Sequence, residues 1–154
     1  MWAIVPCKNI THAKSRLASV LAPAERSQLA IAMLNDVLKV LANIEMLKAI
    51  VVASSDAMAQ ECAVKFGAHC FTKQCDQGPS CAFSAATKYA HEQGARAVIA
   101  VSADLPLLSS SEVACALVAL QQNSSVVLAP ASSDQGTNLM GMNPVGIIPY
   151  TYGD

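Results

Sequence analysis

The chain predicts an α/β fold, a mostly parallel sheet with helices on both faces. Two observations predict it. Short runs of Ala, Val, Leu and Ile alternate with stretches whose apolar residues recur every three to four positions, which is how strands alternating with amphipathic helices read. The run at residues 97–101 is apolar without interruption, as expected of a parallel strand buried on both faces.

In order, residues 2–5 form the first strand, stopped by Pro6. A helix follows over residues 23–42, with Leu29, Met33, Leu34, Val37, Leu38 and Leu41 spaced along one face and Pro23 suited to its first turn. Residues 49–53 form a second strand, and Ser54, Ser55 and Asp56 can cap a helix over residues 57–66 that ends at Gly67. A third strand at 69–72 leads through a loop to a helix over 80–93, closed by Gly94. The strand at 97–101 comes next. Ser109 and Glu112 then form a capping box opening a helix to about residue 122. Strands at 126–129 and 138–142 complete the set.

The 154 residues fit one domain with a sizeable core. Hydrophobic residues make up 53% and charged residues 14%, which excludes a disordered chain. No apolar run is long enough to span a bilayer, and residues 1–6 lack the basic start of a signal peptide, so a cytoplasmic protein with no membrane partner is expected. A net charge of −1 gives no general field for nucleic acid. The six cysteines show no C-x-x-C pair, and their Ala-rich surroundings predict reduced, buried thiols. The chain stops after a Pro- and Gly-rich stretch with no closing helix, so the single domain is expected to lack a C-terminal segment. An Ala- and Leu-rich exterior is compatible with a homodimer.

Two segments carry charge where ligands bind in such sheets, beyond the carboxyl ends of the strands. Residues 5–17 follow the first strand and hold Lys8, Lys14 and Arg16 with Ser15 and no acidic residue. Those cations suit a triphosphate, Arg16 through its planar fork and the lysines as point charges. A solvated basic loop is the alternative. It is no P-loop, because it contains no glycine. Asp104 follows the most apolar strand; a carboxylate there suits magnesium bridging substrate phosphates, and a turn or helix cap is the alternative. Ser54, Ser55 and Asp56 suit ribose or base, or simply cap the next helix. Gly78 and Ser80 flank a helix N-terminus whose backbone donors can meet a base or phosphate. The polar turn ending in Thr137 and Asn138 suits an acceptor substrate. Ordinary turns explain these three equally well.

Taken together, W-A-I-V-P-x-K, A-K-S-R-L, L-A-x-A-M-L-x-D-V-L, V-V-A-S-S-D, A-D-L-P-L-L and L-A-P…G-T-N resemble, in order and spacing, the CofC-type guanylyltransferases of deazaflavin coenzyme biosynthesis. The resemblance implies a Rossmann-like nucleotidyltransferase fold, GTP as donor, Mg2+ as cofactor, and a small phosphorylated acid as acceptor: 2-phospho-L-lactate, phosphoenolpyruvate or 3-phosphoglycerate. It sets Pro6, Lys8, Lys14, Ser15 and Arg16 on the family's triphosphate loop and Asp104 on its metal aspartate. It sets Ser54, Ser55 and Asp56 near the nucleoside, and Thr137 near the acid. Gly153 would be the last residue of the acceptor region still present.

Two departures accompany the resemblance. The family's G-L-N-A-A-L-like segment is here G-P-S-C-A-F-S-A-A, without the asparagine that would help recognise guanine. Family members also continue beyond residue 154, into an acceptor loop and an aspartate-rich metal segment. The competing readings are a truncated, non-catalytic nucleotide-binding domain and a nucleotidyltransferase of molybdenum-cofactor type. The missing glycine loop speaks against the last.

Overall fold

The computed structural model describes residues 1–75, 77–131 and 136–151. β1 (Trp2–Pro6) leads through two 3₁₀ turns, Ile10–His12 and Ser15–Leu17, into α1 (Pro23–Ala42). Then come β2 (Ala49–Ala53), α2 (Ala57–Lys65), β3 (His69–Phe71), α3 (Pro79–Glu92), β4 (Val98–Val101), α4 (Ser110–Ala119), β5 (Ser125–Pro130) and β6 (Thr137–Asn143). Among the described residues no helix is long and apolar enough to cross a membrane.

The six strands form one sheet in the order β3-β2-β1-β4-β6-β5. β3, β2, β1 and β4 run parallel. β6 is antiparallel to both β4 and β5, so the sheet is mostly parallel with one reversed strand. From β1 the chain steps outward to β2 and β3, then returns past β1 to β4. That reversal leaves a crevice between the loops following β1 and β4.

Because successive strand residues face opposite sides, each strand feeds two cores. Ala3, Val5, Ile50, Val52, Ile99 and Val101 pack against Leu34, Val37, Leu38 and Leu41 of α1, with residues of α2 and α4. Trp2, Ile4, Val51, Val98, Ala100, Met140 and Met142 pack against Phe83, Ala86 and Ala90 of α3 and against Tyr150. α1, α2 and α4 therefore cover one face and α3 the other. The Thr87 hydroxyl donates to the Tyr150 hydroxyl at 3.1 Å, and the Phe83 and Tyr150 rings stack at 5.2 Å, tying the last described residues to α3.

Local chemistry sets the helix ends. Glu25 accepts the Ala22 amide at 2.7 Å, the one half of a capping box open to α1, since Ala22 has no side-chain oxygen to supply the other. Ser109 and Glu112 form the expected reciprocal box at α4: the Glu112 amide donates to Ser109 Oγ and the Ser109 amide to Glu112 Oε2. Gly67 takes φ +68° directly after α2's last turn, the left-handed stop that favours glycine.

Of the six cysteines only Cys62 and Cys75 are buried; Cys7 is half-buried, and Cys70, Cys81 and Cys115 are exposed. The expectation of mostly buried thiols is corrected by helix phase. Cys81 on α3 and Cys115 on α4 lie on the sides turned away from the sheet, and neighbouring alanines do not reveal that phase.

Gly141 of β6 lies under Leu120, where an added Cβ would collide with the Leu120 side chain and come 3.2 Å from Ile99 Cγ2. Leu120 and Ile99 are fully buried, so neither can give way into solvent. Gly141→Ala should cost about 1–3 kcal/mol by overpacking, read as a lowered urea midpoint with an unchanged slope.

Candidate functional site

The loops after β1 and β4 line a cavity of about 700 Å³. Pro6, Lys8, His12, Lys14 and Ser15 line it from the β1 side, and Ser102 and Asp104 from the β4 side. Thr137 and Asn138 contribute from the start of β6, and Pro79, Ala82 and Phe83 from the first turns of α3. Parallel pairing sets these loops at similar heights: Pro6 is level with Ala53 and Ile4 with Ala100.

The two sequence-predicted charge centres meet here. Lys14 Nζ donates to Asp104 Oδ2 at 2.8 Å. Lys14 takes a left-handed backbone at φ 54° and ψ 40°, between the two 3₁₀ turns. Asp104 Oδ1 accepts the Ser102 hydroxyl at 2.6 Å. Partial burial disfavours the Asp104 carboxylate, but the Lys14 and Ser102 hydrogen bonds and the Lys14 charge outweigh it and hold Asp104 below its ordinary value. Cys7, between Pro6 and Lys8, behaves oppositely. Burial, reinforced by Asp56, Cys62 and Asp104, pushes its thiol up to about 12, which keeps it protonated and a poor nucleophile.

Pro6, Lys8, Lys14, Ser15, Asp104, Thr137 and Asn138 thus share one cavity. Arg16 is exposed on the turn after Ser15 and does not line the wall. Gly78 and Ser80 flank the lining residue Pro79 without lining the cavity themselves. Ser54, Ser55 and Asp56 do not line it. Ser54 is fully buried, its hydroxyl accepting the Asp56 amide at 3.1 Å. Asp56 Oδ1 accepts the Met58 and Ala59 amides that open α2, and Oδ2 accepts the Ile10 amide at 2.9 Å. Gly153 lies outside the described residues.

Sequence reasoning did not single out Ser102, Asn9, Ile10, Cys75 or Phe83, which also line the cavity. Ser102 carried a usable signal, a hydroxyl two residues before Asp104 and directly after the strand. Phe83 carried none beyond its place in a helix.

Asp104 is the carboxylate of this wall, and among the described residues no three or more His, Cys, Asp or Glu side chains gather as a metal cage. Such a donor set fits magnesium, which commonly takes one or two protein carboxylates and completes its shell with phosphate oxygens and water.

The model of a family described as "Guanylyl transferase CofC like" matches residues 1–153. Relatives include the phosphoenolpyruvate guanylyltransferase of Rubrobacter xylanophilus, 32% identical over 99% of this chain and 74% of its own length. The 2-phospho-L-lactate guanylyltransferase of Methanothermobacter thermautotrophicus is 32% identical over 92% of this chain and 61% of its own length. Among solved structures, a protein assigned as a nucleotide-diphospho-sugar transferase from Desulfovibrio desulfuricans superposes with a TM-score of 0.75 at 22% identity, over 92% of this chain and 62% of that one. That likeness shows the α/β nucleotidyltransferase-like fold.

The Asp104 pairing has a pH signature. A carboxyl held below its unfolded value contributes stability above the ordinary aspartate range, and loses it as pH falls through the lowered value. Lys14→Met and Ser102→Ala should each raise the Asp104 midpoint in a carboxylate NMR titration, Lys14→Met the more, since it removes a charge as well as a hydrogen bond. An unmoved midpoint in Lys14→Met would mean that the pair does not form in solution.

Proposed function

Because the chain belongs to the CofC-like guanylyl transferase family, we propose that it transfers the guanosine monophosphate part of GTP to a small phosphorylated acid and releases pyrophosphate. The acceptors considered are phosphoenolpyruvate, 2-phospho-L-lactate and 3-phosphoglycerate. The observation that carries this reading is the cavity that Lys8, Lys14 and Asp104 line together, with Lys14 paired to Asp104, at the point where the chain reverses its course across the sheet.

On this reading the triphosphate lies along residues 6–16. Lys8 and Lys14 offset its charge, Ser15 donates a hydrogen bond, and Arg16 closes on it from the exposed turn. The α3 N-terminus at Gly78 and Ser80 flanks the nucleoside. Thr137 and Asn138 hold the acid across the cavity. An oxygen of the acid's phosphate attacks the α-phosphorus of GTP, forming one P–O bond while the bond to the bridging oxygen breaks and pyrophosphate departs. The attacking phosphate is already ionised at neutral pH, so no protein nucleophile is required, consistent with a Cys7 thiol held protonated. The lysines are therefore asked for positioning and for charge stabilisation on the transferring and departing groups. Asp104 would hold magnesium, which when bound offsets phosphate charge and favours the departing pyrophosphate.

The test is pyrophosphate release from GTP with magnesium and each of the three acids, with the joined product identified by mass spectrometry. Release with CTP but not GTP would overturn the guanylyl assignment. GTP binding without release from any acid would leave a nucleotide-binding domain only.

Two substitutions probe the roles. Asp104→Ala should lower turnover about a hundredfold or more, the scale of a lost metal contact, with an unaltered circular dichroism spectrum. Arg16→Ala should weaken GTP binding by about 2 kcal/mol, as for a lost charge-assisted phosphate contact, measured by calorimetry.

A further inference from the structure

We propose that Asp56 is a positioning residue for nucleotide binding, holding the basic loop in its working shape through the Ile10 amide. The inference rests on the functional reading above and adds a residue that acts without touching the nucleotide.

Asp56 joins two helical starts. Its Oδ1 accepts the Met58 and Ala59 amides at 2.9 and 3.3 Å, capping α2. Its Oδ2 accepts the Ile10 amide at 2.9 Å, across 46 residues of sequence, at the start of the Ile10–His12 turn. One carboxylate thus satisfies orphan donors at two N-termini with two separate oxygens, Oδ1 toward α2 and Oδ2 toward Ile10. Its base is fixed as well: the Asp56 amide donates to Ser54 Oγ, and Ser54 is fully buried.

The receiving end is equally specific. Ile10 is the one buried residue between 7 and 17, and its carbonyl accepts the Ala13 amide at 3.0 Å and the Ser27 hydroxyl at 3.3 Å. It is the foot on which the basic loop stands, with Lys8 before it and Lys14 after it. Both lysines line the cavity, whereas Asp56 does not. A hydrogen bond from an amide to an ionised acceptor is among the stronger kinds, so releasing it would leave the loop sampling shapes in which the two lysines no longer converge. Nucleotide affinity falls in proportion to the population that remains competent.

Two variants of the full chain separate this role from helix capping. Asp56→Ser keeps a good N-cap for α2 but cannot also reach Ile10. Asp56→Asn keeps one oxygen for α2 and turns an amide donor toward the Ile10 N–H. The measurements are thermal midpoint, Ile10 amide exchange by NMR without nucleotide, and GTP dissociation constant with magnesium. Both variants should stay folded, exchange Ile10 roughly tenfold faster and bind GTP roughly tenfold more weakly. If Asp56→Ser fails to fold, Asp56→Asn carries the test.

Weaker binding with unchanged Ile10 exchange would mean direct contact with the nucleotide and overturn the proposal. So would faster exchange with unchanged affinity. Failure of the unaltered chain to bind GTP is a different result: it would sink the functional reading, and this inference with it.

Discussion

The structure depends on one constraint, the burial of β1 on both faces at the place where the chain reverses its march across the sheet. Ala3, Ile4 and Val5 are fully buried, and β1 pairs in parallel with β2 on one side and β4 on the other. Parallel pairing sends all three strands the same way, so their following loops emerge at one edge. The chain leaves β1 toward α1 on one face and arrives at β4 from α3 on the other. The loops after β1 and β4 lead to α1 and α4 on that first face, α3 begins on the opposite face, and the cavity lies between those loops and the first turns of α3. A cluster of like charges and a carboxylate can meet there without either having to be buried in an apolar layer.

Much of this fold was legible in the sequence because the signals were local. The unbroken run before Ser102, the spacing of Leu34, Val37, Leu38 and Leu41, the Ser109–Glu112 box and the stops at Gly67 and Gly94 each depend on neighbours only a few residues away. They recovered every strand and α-helix of the described residues to within three positions. The reversed direction of β6 was not legible. Its direction is set by pairing Leu139 with Val101 and Met142 with Val98, contacts about forty residues apart that no local pattern encodes. The two 3₁₀ turns at Ile10 and Ser15 also escaped, since three residues are too few to show a period. The cysteines misled for a related reason: alanine neighbours suggest burial, while exposure on α3 and α4 depends on which side of the helix faces the sheet.

The site divides along the same line. Charge at a strand's carboxyl end is a sequence-level signal, and Lys8, Lys14 and Asp104 do meet in one cavity. What could not be read was the hidden scaffolding. The Ser54–Asp56 triplet is open, from sequence, to a ligand-contact or a capping role. Only the fold shows the Asp56 carboxylate spent on three backbone amides, one of them Ile10's. The Ser102 hydroxyl on Asp104 is likewise a contact between neighbours in sequence that becomes meaningful only once the Lys14 side chain is seen on the other oxygen.

The two carboxylates beside the basic loop hold it in ways that differ in how readily they yield. The Lys14–Asp104 pair is half exposed, with side-chain accessibilities of 22% and 53%, and pairs of that kind are worth at most about 1 kcal/mol. On the proposed function, a triphosphate offering several anionic oxygens would outcompete one such carboxylate for Lys14, and the released Asp104 would then be available to a cation. The Asp56 contact cannot be exchanged in this way. Its partner is a backbone amide whose position defines the loop, and a ligand that took that amide would strand the carboxylate beside the cavity with one oxygen unpaired. A loop that must grip and release a charged ligand needs one attachment of each kind. Without the firm one, Lys8 and Lys14 would pay the ordering entropy anew with every ligand. Without the yielding one, Asp104 would keep only the Ser102 hydroxyl as its side-chain partner, and with a firmer one Lys14 would not be free to meet the phosphate that the proposed function assigns to it.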